Sequence, residues 1–130
     1  MRILLDTHCW LWWLSTPDRL GEEVRRSVED PANDVFLSAA SSWEIAIKYA
    51  LGKLPLPEPP ARFVPARLGR DGILPLPIQH AHSLHAASLP QHHRDPFDRL
   101  LIAQVQLERM QFVTADSQLQ AYEVDMLFVG

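Results

Sequence analysis

The chain has 130 residues, the length of one domain, and a net charge of −4. Hydrophobic residues make up 47% of it and charged residues 22%, which excludes a disordered protein. The acidic balance argues against binding to nucleic acid through a bulk positive field. No apolar run reaches the roughly 20 residues that cross a bilayer, and Asp6 interrupts the stretch that a signal peptide needs. The only cysteine, Cys9, cannot form an internal disulfide, which fits the reducing cytoplasm. We therefore expect a single domain over residues 1–130, located in the cytoplasm without a membrane partner.

Short apolar strands alternate with helices along the chain. The alternation predicts an α/β domain, a three-layer α/β/α sandwich around a central, mostly parallel sheet of about five strands. Such folds place their sites beyond the carboxyl ends of the strands, where the strand order reverses. The predicted strands are 3–5, 35–37, 73–76, 112–113 and 125–129, and the predicted helices are 10–14, 21–29, 38–51, 61–68, 79–89, 96–110 and 117–122.

Four acidic residues lie at or near the ends of these strands. Asp6 directly follows the first strand, and Asp116 lies three residues beyond Val113. Glu44 lies on the helix entered from the second strand, and Asp98 opens the long helix before the fourth. Four carboxylates at close quarters repel one another, and a divalent cation that prefers oxygen ligands, Mg²⁺ or Mn²⁺, relieves the repulsion. Because such ions can activate water, the pattern predicts phosphodiester hydrolysis at this edge of the sheet.

Each acid also has a local structural explanation. Asp6 and Asp116 are placed to cap a following helix, and Glu44 has Lys48 four residues on as an ion-pair partner. If all the acids were structural, the chain would be a non-catalytic protein-binding module of the same fold. A phosphotransferase with Asp6 as nucleophile is a further alternative, but His8 occupies the position where such enzymes place a second Asp.

The segment before the long helix combines a cap with a candidate site residue. Asp95 is predicted as the N-cap and Pro96 as the first helical residue. Asp98 then falls in the first turn, where it either points toward the site or completes a capping box.

The acids lie within longer stretches that resemble a known family. The stretches are LLDTH at 4–8, SSWEIAIK at 41–48, DPFDRLLIA at 95–103 and VTAD at 113–116. In this order and at these intervals they resemble the PIN domain and, more narrowly, VapC-type toxins of bacterial toxin–antitoxin pairs. The resemblance covers almost the whole chain. It implies a PIN-like fold and a metal-dependent endoribonuclease that acts on RNA with Mg²⁺ or Mn²⁺. It also implies a homodimer, silenced by a cognate antitoxin protein that covers the site.

The resemblance assigns the catalytic residues. They are Asp6, Glu44, Asp98 and Asp116, with no departure from the family pattern. We expect Asp6, Asp98 and Asp116 to hold metal, directly or through water. Glu44 either ligates metal or orients the attacking water.

Three further residues are candidates for contacting the substrate. Arg99 is either a phosphate contact or a surface residue of its helix. The Thr114 hydroxyl can bond a ligand or water, or make a local turn bond. Asp95 is a helix cap with a candidate second role in the site.

Histidine and tryptophan add weaker signals. The spacing of the six histidines matches no strong zinc pattern. His93 and Arg94 are predicted to lie on a solvated loop, with a position facing RNA as the alternative. Trp12 is predicted to be exposed at an interface with the antitoxin or a second subunit, with RNA-base stacking as the alternative.

Overall fold

The computed structural model describes residues 1–129, so the last residue of the predicted domain, Gly130, lies outside the described residues. Its strands are β1 (Arg2–Leu5), β2 (Asp34–Ser38), β3 (Leu74–Leu76), β4 (Gln111–Thr114) and β5 (Asp125–Phe128). They form one sheet in the order β3-β2-β1-β4-β5, and every pairing is parallel. The predicted α/β fold around a parallel sheet is therefore confirmed.

Six α-helices connect these strands. They are α1 (Thr7–Ser15), α2 (Glu22–Glu29), α3 (Ala39–Ala50), α4 (Pro60–Asp71), α5 (His80–Ser88) and α6 (Pro96–Glu108), with two short 3₁₀ helices at Pro17–Leu20 and Ser117–Ala121. None of the helices described for residues 1–129 combines the length and the apolar character that crossing a membrane requires.

Helix α4 extends past the predicted end at residue 68. Its first residue is Pro60, which suits the first helical position because its fixed φ is already helical. The helix was predicted to end at residue 68, but it continues through Gly69 to Asp71 and is capped by Gly72 in the left-handed conformation, with a φ of +66°. The buried side chains of Phe63 and Leu68 pack this helix onto the sheet, which outweighs the low helix propensity of an internal glycine.

The helices cover both faces of the sheet. Successive side chains of a strand point to opposite faces, so Ile3 and Leu5 pack on one side and Leu4 on the other. Trp10 and residues of α2 and α4 complete the first core, whereas Leu101 and other residues of α6 complete the second. This arrangement confirms the three predicted layers.

The strand order reverses between β1 and β4. From β1 the chain moves outward to β2 and β3, then returns to add β4 on the opposite side of β1. The Asp6 N–H donates to the Val113 carbonyl oxygen at 2.9 Å and joins the carboxyl ends of the two strands. Residues that follow β1 and β4 therefore flank the crevice in which doubly wound sheets bind ligands.

Candidate active site

A cleft of about 450 Å³ opens at the switch point of the sheet, where the strand order reverses between β1 and β4. The four acids predicted to be catalytic all line it: Asp6, Glu44, Asp98 and Asp116. The other lining residues are His8, Trp12, Lys48, His93, Asp95 and Ala115. The structure thus brings the whole predicted quartet to one place, while the catalytic role of each member stays a prediction.

Asp6 is held at the bottom of the cleft by two hydrogen bonds. Its Oδ1 accepts from the Thr7 N–H at 2.7 Å as the N-cap of α1, and its Oδ2 accepts from the Thr114 hydroxyl at 2.7 Å. The residue is only 6% exposed. Burial raises the pKa of Asp6, and these hydrogen bonds oppose the rise. Capping and placement in the cleft therefore coexist in the same side chain.

Thr114 has a different role from the predicted substrate contact. Its side chain is fully buried, and its hydroxyl both donates to Asp6 and accepts from the Asp116 N–H at 3.1 Å. Two protein partners use the hydroxyl, so the expectation of a ligand contact is wrong and the local turn bond is correct. Thr114 fixes the position of Asp6 and the turn that carries Asp116.

We expect Thr114→Val to lower the free energy of unfolding by about 1 to 2 kcal/mol, because the buried Asp6 carboxylate loses its hydroxyl donor. Urea denaturation with EDTA present measures this effect. Thr114→Ser is the matched variant because it keeps the hydroxyl and removes one methyl group. A serine variant less stable than the valine variant would show that methyl packing, not the hydrogen bond, is what matters.

Asp98 lies in the first turn of α6, which Asp95 caps as predicted. The Asp95 carboxylate accepts from the Phe97 N–H at 2.8 Å and the Asp98 N–H at 3.3 Å. The Asp98 Oδ2 lies 2.8 Å from the Nε2 of His93. Burial, followed by the negative charges of Asp6 and Asp95, raises the pKa of Asp98 to about 7, against the opposing effect of His93.

This raised pKa predicts how the stability of the metal-free protein depends on pH. Between the ordinary pKa of 3.8 and about 7, the native state binds a proton at Asp98 that the unfolded state has released. The contribution is fully present below the lower value and is lost as the pH rises through the upper one. One proton gives a slope of at most about 1.4 kcal/mol per pH unit.

Urea denaturation in EDTA at several pH values between 4 and about 7 tests this sign. The wild-type protein should lose stability relative to Asp98→Asn as the pH rises, because asparagine does not titrate. Parallel pH profiles for the two proteins would contradict the raised pKa.

Glu44 and Lys48 form an ion pair on the wall of the cleft. The Lys48 Nζ lies 3.0 Å from the Glu44 Oε2, and the Glu44 side chain is 9% exposed. The predicted i,i+4 pair is therefore present, but it faces the cleft and not bulk solvent. Lys48 brings a positive charge to a site that the sequence had indicated only through its acids.

Asp116 forms the opposite wall. Its Oδ1 accepts from the Gln118 N–H at 2.9 Å and caps the 3₁₀ helix that follows. Its Oδ2 lies 3.5 Å from the Nε2 of His93. One oxygen serves the cap, so the other remains available in the cleft.

His93 is a site residue that the sequence analysis placed on a solvated loop, with a position facing RNA only as the alternative. The residue lies on the loop between α5 and α6, but its side chain is 18% exposed and its ring lies between Asp98 and Asp116. The Nε2 and one carboxylate oxygen from each acid all lie within 4.8 Å of one another. The only sequence signal was its position two residues before Asp95.

Arg99 is not a phosphate contact, and that expectation is corrected. The residue is 8% exposed, and its two terminal nitrogens donate to four backbone carbonyl oxygens. The acceptors are Ala86 at 2.9 Å, Leu89 at 3.1 Å, Pro90 at 3.1 Å and His93 at 3.3 Å. The terminal N–H groups are thereby used within the protein. Arg99 fastens the loop between α5 and α6, which carries His93.

Trp12 is also placed differently from its prediction. It is half-buried and lines the cleft, with the Arg19 guanidinium carbon 4.1 Å from the centroid of its ring. Trp12 was expected to be exposed, but Arg19 covers one of its ring faces and the residue forms part of the cleft wall. Next to it, the His8 ring centroid lies 6.5 Å away. The alternative of RNA-base stacking stays a prediction.

The donor set suits a divalent cation. Asp6, Asp98 and Asp116 offer carboxylate oxygens, and His93 offers an imidazole nitrogen in the same space. Burial opposes the ionised forms of Asp6 and Asp98, which is the electrostatic situation that a bound cation relieves. The residues therefore fit the metal that the sequence pattern implied.

Comparisons with known proteins agree with this geometry. The family model of the PIN domain matches residues 3–125. Ribonuclease VapC16 of Mycobacterium tuberculosis is 57% identical over 63 residues, which cover 48% of this chain and 45% of that protein. The match thus spans less than half the length of this curated relative.

Two solved structures share the fold over nearly the whole chain. One is VapBC2 from Rickettsia felis bound to a DNA fragment from its promoter, with a TM-score of 0.72, 14% identity and 98% of each chain covered. The other is a toxin–antitoxin complex from Klebsiella pneumoniae, with a TM-score of 0.66, 15% identity and 98% of each chain covered. At these identities the likeness concerns the fold.

Proposed function

We propose that this chain, which belongs to the PIN domain family, is a metal-dependent endoribonuclease that hydrolyses phosphodiester bonds of RNA. The observation that supports this most is the convergence of Asp6, Glu44, Asp98 and Asp116 on one cleft at the switch point of the sheet. The ribonuclease from M. tuberculosis that is similar over 63 residues adds support. We also propose that residues 1–130 form a single domain that acts in the cytoplasm.

The chain's own residues suit this chemistry. Asp6, Asp98 and Asp116 are the proposed ligands of Mg²⁺ or Mn²⁺, and Asp6 is held rigid by its two hydrogen bonds. A divalent cation bound there supplies Lewis-acid activation of water and stabilises negative charge on phosphate oxygens. Glu44 is placed to accept a proton from the attacking water, and Lys48 beside it offers a positive charge to the phosphate.

We further propose that the chain is the toxin of a toxin–antitoxin pair, acts as a homodimer and is silenced by a cognate antitoxin protein. Support comes from solved structures of the same fold, which include VapBC2 from R. felis and a toxin–antitoxin complex from K. pneumoniae. A non-catalytic binding module is not favoured, because all four acids line the cleft even where they also cap helices or form an ion pair.

The decisive experiment is cleavage of labelled RNA by the purified protein, freed of any co-purifying partner, with Mn²⁺, Mg²⁺ or EDTA. We expect discrete cuts that require the metal and disappear in Asp6→Asn. Asp18→Asn is the matched control, since this acid pairs with Arg25 on the surface and its side chain is 94% exposed. Cleavage that persists in EDTA or in Asp6→Asn would refute the proposal, as would a folded, metal-loaded protein that cuts no RNA.

A further inference from the structure

We propose that His93 donates its Nε2 to the bound cation, so that the site combines nitrogen with oxygen ligands and prefers Mn²⁺ to Mg²⁺. The inference rests on the metal site of the proposed function, but it does not depend on RNA being the substrate. It adds to the acidic quartet a ligand of a different chemical kind.

The first support is the position of the imidazole between two acids. The Nε2 lies 2.8 Å from the Asp98 Oδ2 and 3.5 Å from the Asp116 Oδ2. Two donors in adjacent octahedral positions, each about 2.1 Å from a cation, are about 3 Å apart. The observed separations bracket that spacing, and the three residues' ligand atoms lie within 4.8 Å of one another, so one cation can bind all three.

The second support is the way the structure fixes the His93 main chain. Its N–H donates to the Tyr122 hydroxyl oxygen at 3.1 Å, and its carbonyl oxygen accepts from Arg99 at 3.3 Å. Tyr122 and Arg99 are both buried, and the Tyr122 hydroxyl also donates to the Pro90 carbonyl oxygen at 3.0 Å. A metal ligand needs this kind of support, because it must be held in place before the ion binds.

The third support is the burial of the ring among acids. The His93 side chain is 18% exposed, and both of its contacts in the cleft are carboxylate oxygens. The neighbouring His92 has a different environment, because its ring packs edge-on against Tyr122 with 5.0 Å between the ring centroids. Only His93 of the two lines the cleft.

The consequence for metal choice follows from ligand chemistry. Mg²⁺ binds oxygen and keeps much of its water, whereas imidazole nitrogen favours first-row transition cations. Losing the nitrogen should therefore weaken Mn²⁺ binding about tenfold or more and Mg²⁺ binding less than about threefold.

Pulsed electron paramagnetic resonance of the full chain with Mn²⁺ and no RNA tests the ligand directly. A coordinated imidazole produces a ¹⁴N hyperfine coupling on the ion. We expect this coupling in the wild-type protein and in His92→Gln, and its loss in His93→Gln. His8→Gln is included because His8 is the other histidine of the cleft, and the coupling should survive there.

Calorimetric titration of Mn²⁺ and Mg²⁺ into the same variants gives the affinity ratio. The inference is overturned if wild-type protein binds no Mn²⁺, binds it without ¹⁴N coupling, or loses the coupling in His8→Gln. Equal weakening of both ions in a folded His93→Gln would also overturn it. If that variant does not fold, the wild-type and His8→Gln spectra decide.

These readouts separate the inference from the proposed function. A ¹⁴N coupling that depends on His93, in a protein that cuts no RNA, supports the ligand and refutes the ribonuclease. Metal-dependent cleavage of RNA without the ¹⁴N coupling supports the ribonuclease and refutes His93 as a ligand.

Discussion

Replacing Asp98 by asparagine is expected to lower the rate of metal-dependent RNA cleavage by a factor of about 10³ or more. The change removes a charged ligand from the centre of the cleft, where Asp98 faces His93 at 2.8 Å. In EDTA near neutral pH the same variant should be more stable than the wild-type protein, because the negative charge opposed by Asp6 and Asp95 is gone. Lower activity with higher stability is a combination that unfolding cannot produce.

Initial cleavage rates and urea denaturation of the same preparations check both effects. Asp95→Asn is the matched comparison, since it makes the same chemical change three residues earlier. Asparagine is a good N-cap, and the Asp95 carboxylate is already engaged with the Phe97 N–H. The cleavage rate of Asp95→Asn should therefore stay within about tenfold of the wild-type rate. If Asp98→Asn retains more than about a tenth of wild-type activity, Asp98 is not a metal ligand in the reaction.

Replacing Arg99 by alanine is expected to lower the free energy of unfolding by about 3 kcal/mol or more. The guanidinium donates to four backbone carbonyl oxygens of the segment 86–93, and the variant removes all four of these hydrogen bonds. The Pro90 carbonyl keeps the Tyr122 hydroxyl as a donor, and the Ala86 carbonyl keeps the Leu89 N–H. Lysine should restore only part of the loss, because one ammonium group cannot reach four acceptors arranged around a planar fork. Denaturant unfolding of the three proteins in EDTA measures the series.

The control for this series is Arg94→Ala, which removes the same kind of side chain from an exposed position of the same loop. Its effect should stay within about 0.5 kcal/mol. Should Arg99→Ala cost less than about 1 kcal/mol, the carbonyl groups must find other partners and Arg99 does not hold the loop.

The general architecture and the acidic quartet could be predicted because they depend on short-range patterns and one topological rule. The runs before Asp6 and after Met110 are apolar enough to indicate buried strands, and the carboxyl ends of parallel strands share one edge. The capping position of Asp95 then placed Asp98 in the first turn of the long helix, where a direction toward the site was one of two alternatives. Each of these steps needs only a few neighbouring residues.

The environments of Arg99 and His93 could not be predicted in this way. An arginine at the start of a helix usually lies on the surface, and nothing in its neighbours indicates that a loop ten residues earlier turns its carbonyl groups inward. His93 reaches the cleft only because that loop is fastened at Arg99 and Tyr122. Such placements arise from contacts between distant segments, which a local pattern does not encode.

The hydrogen bond between Thr114 and Asp6 joins residues 108 positions apart in the chain. Synthesis starts at the N-terminus, so β1 exists long before β4, its partner on the side of the cleft. The crevice is therefore closed by a contact of high sequence separation, which must wait until β4 has paired with β1. Long-range parallel pairings form slowly, because the entropy of closing the intervening chain is lost before the contact forms. We therefore expect the acids of the cleft to come together late in folding.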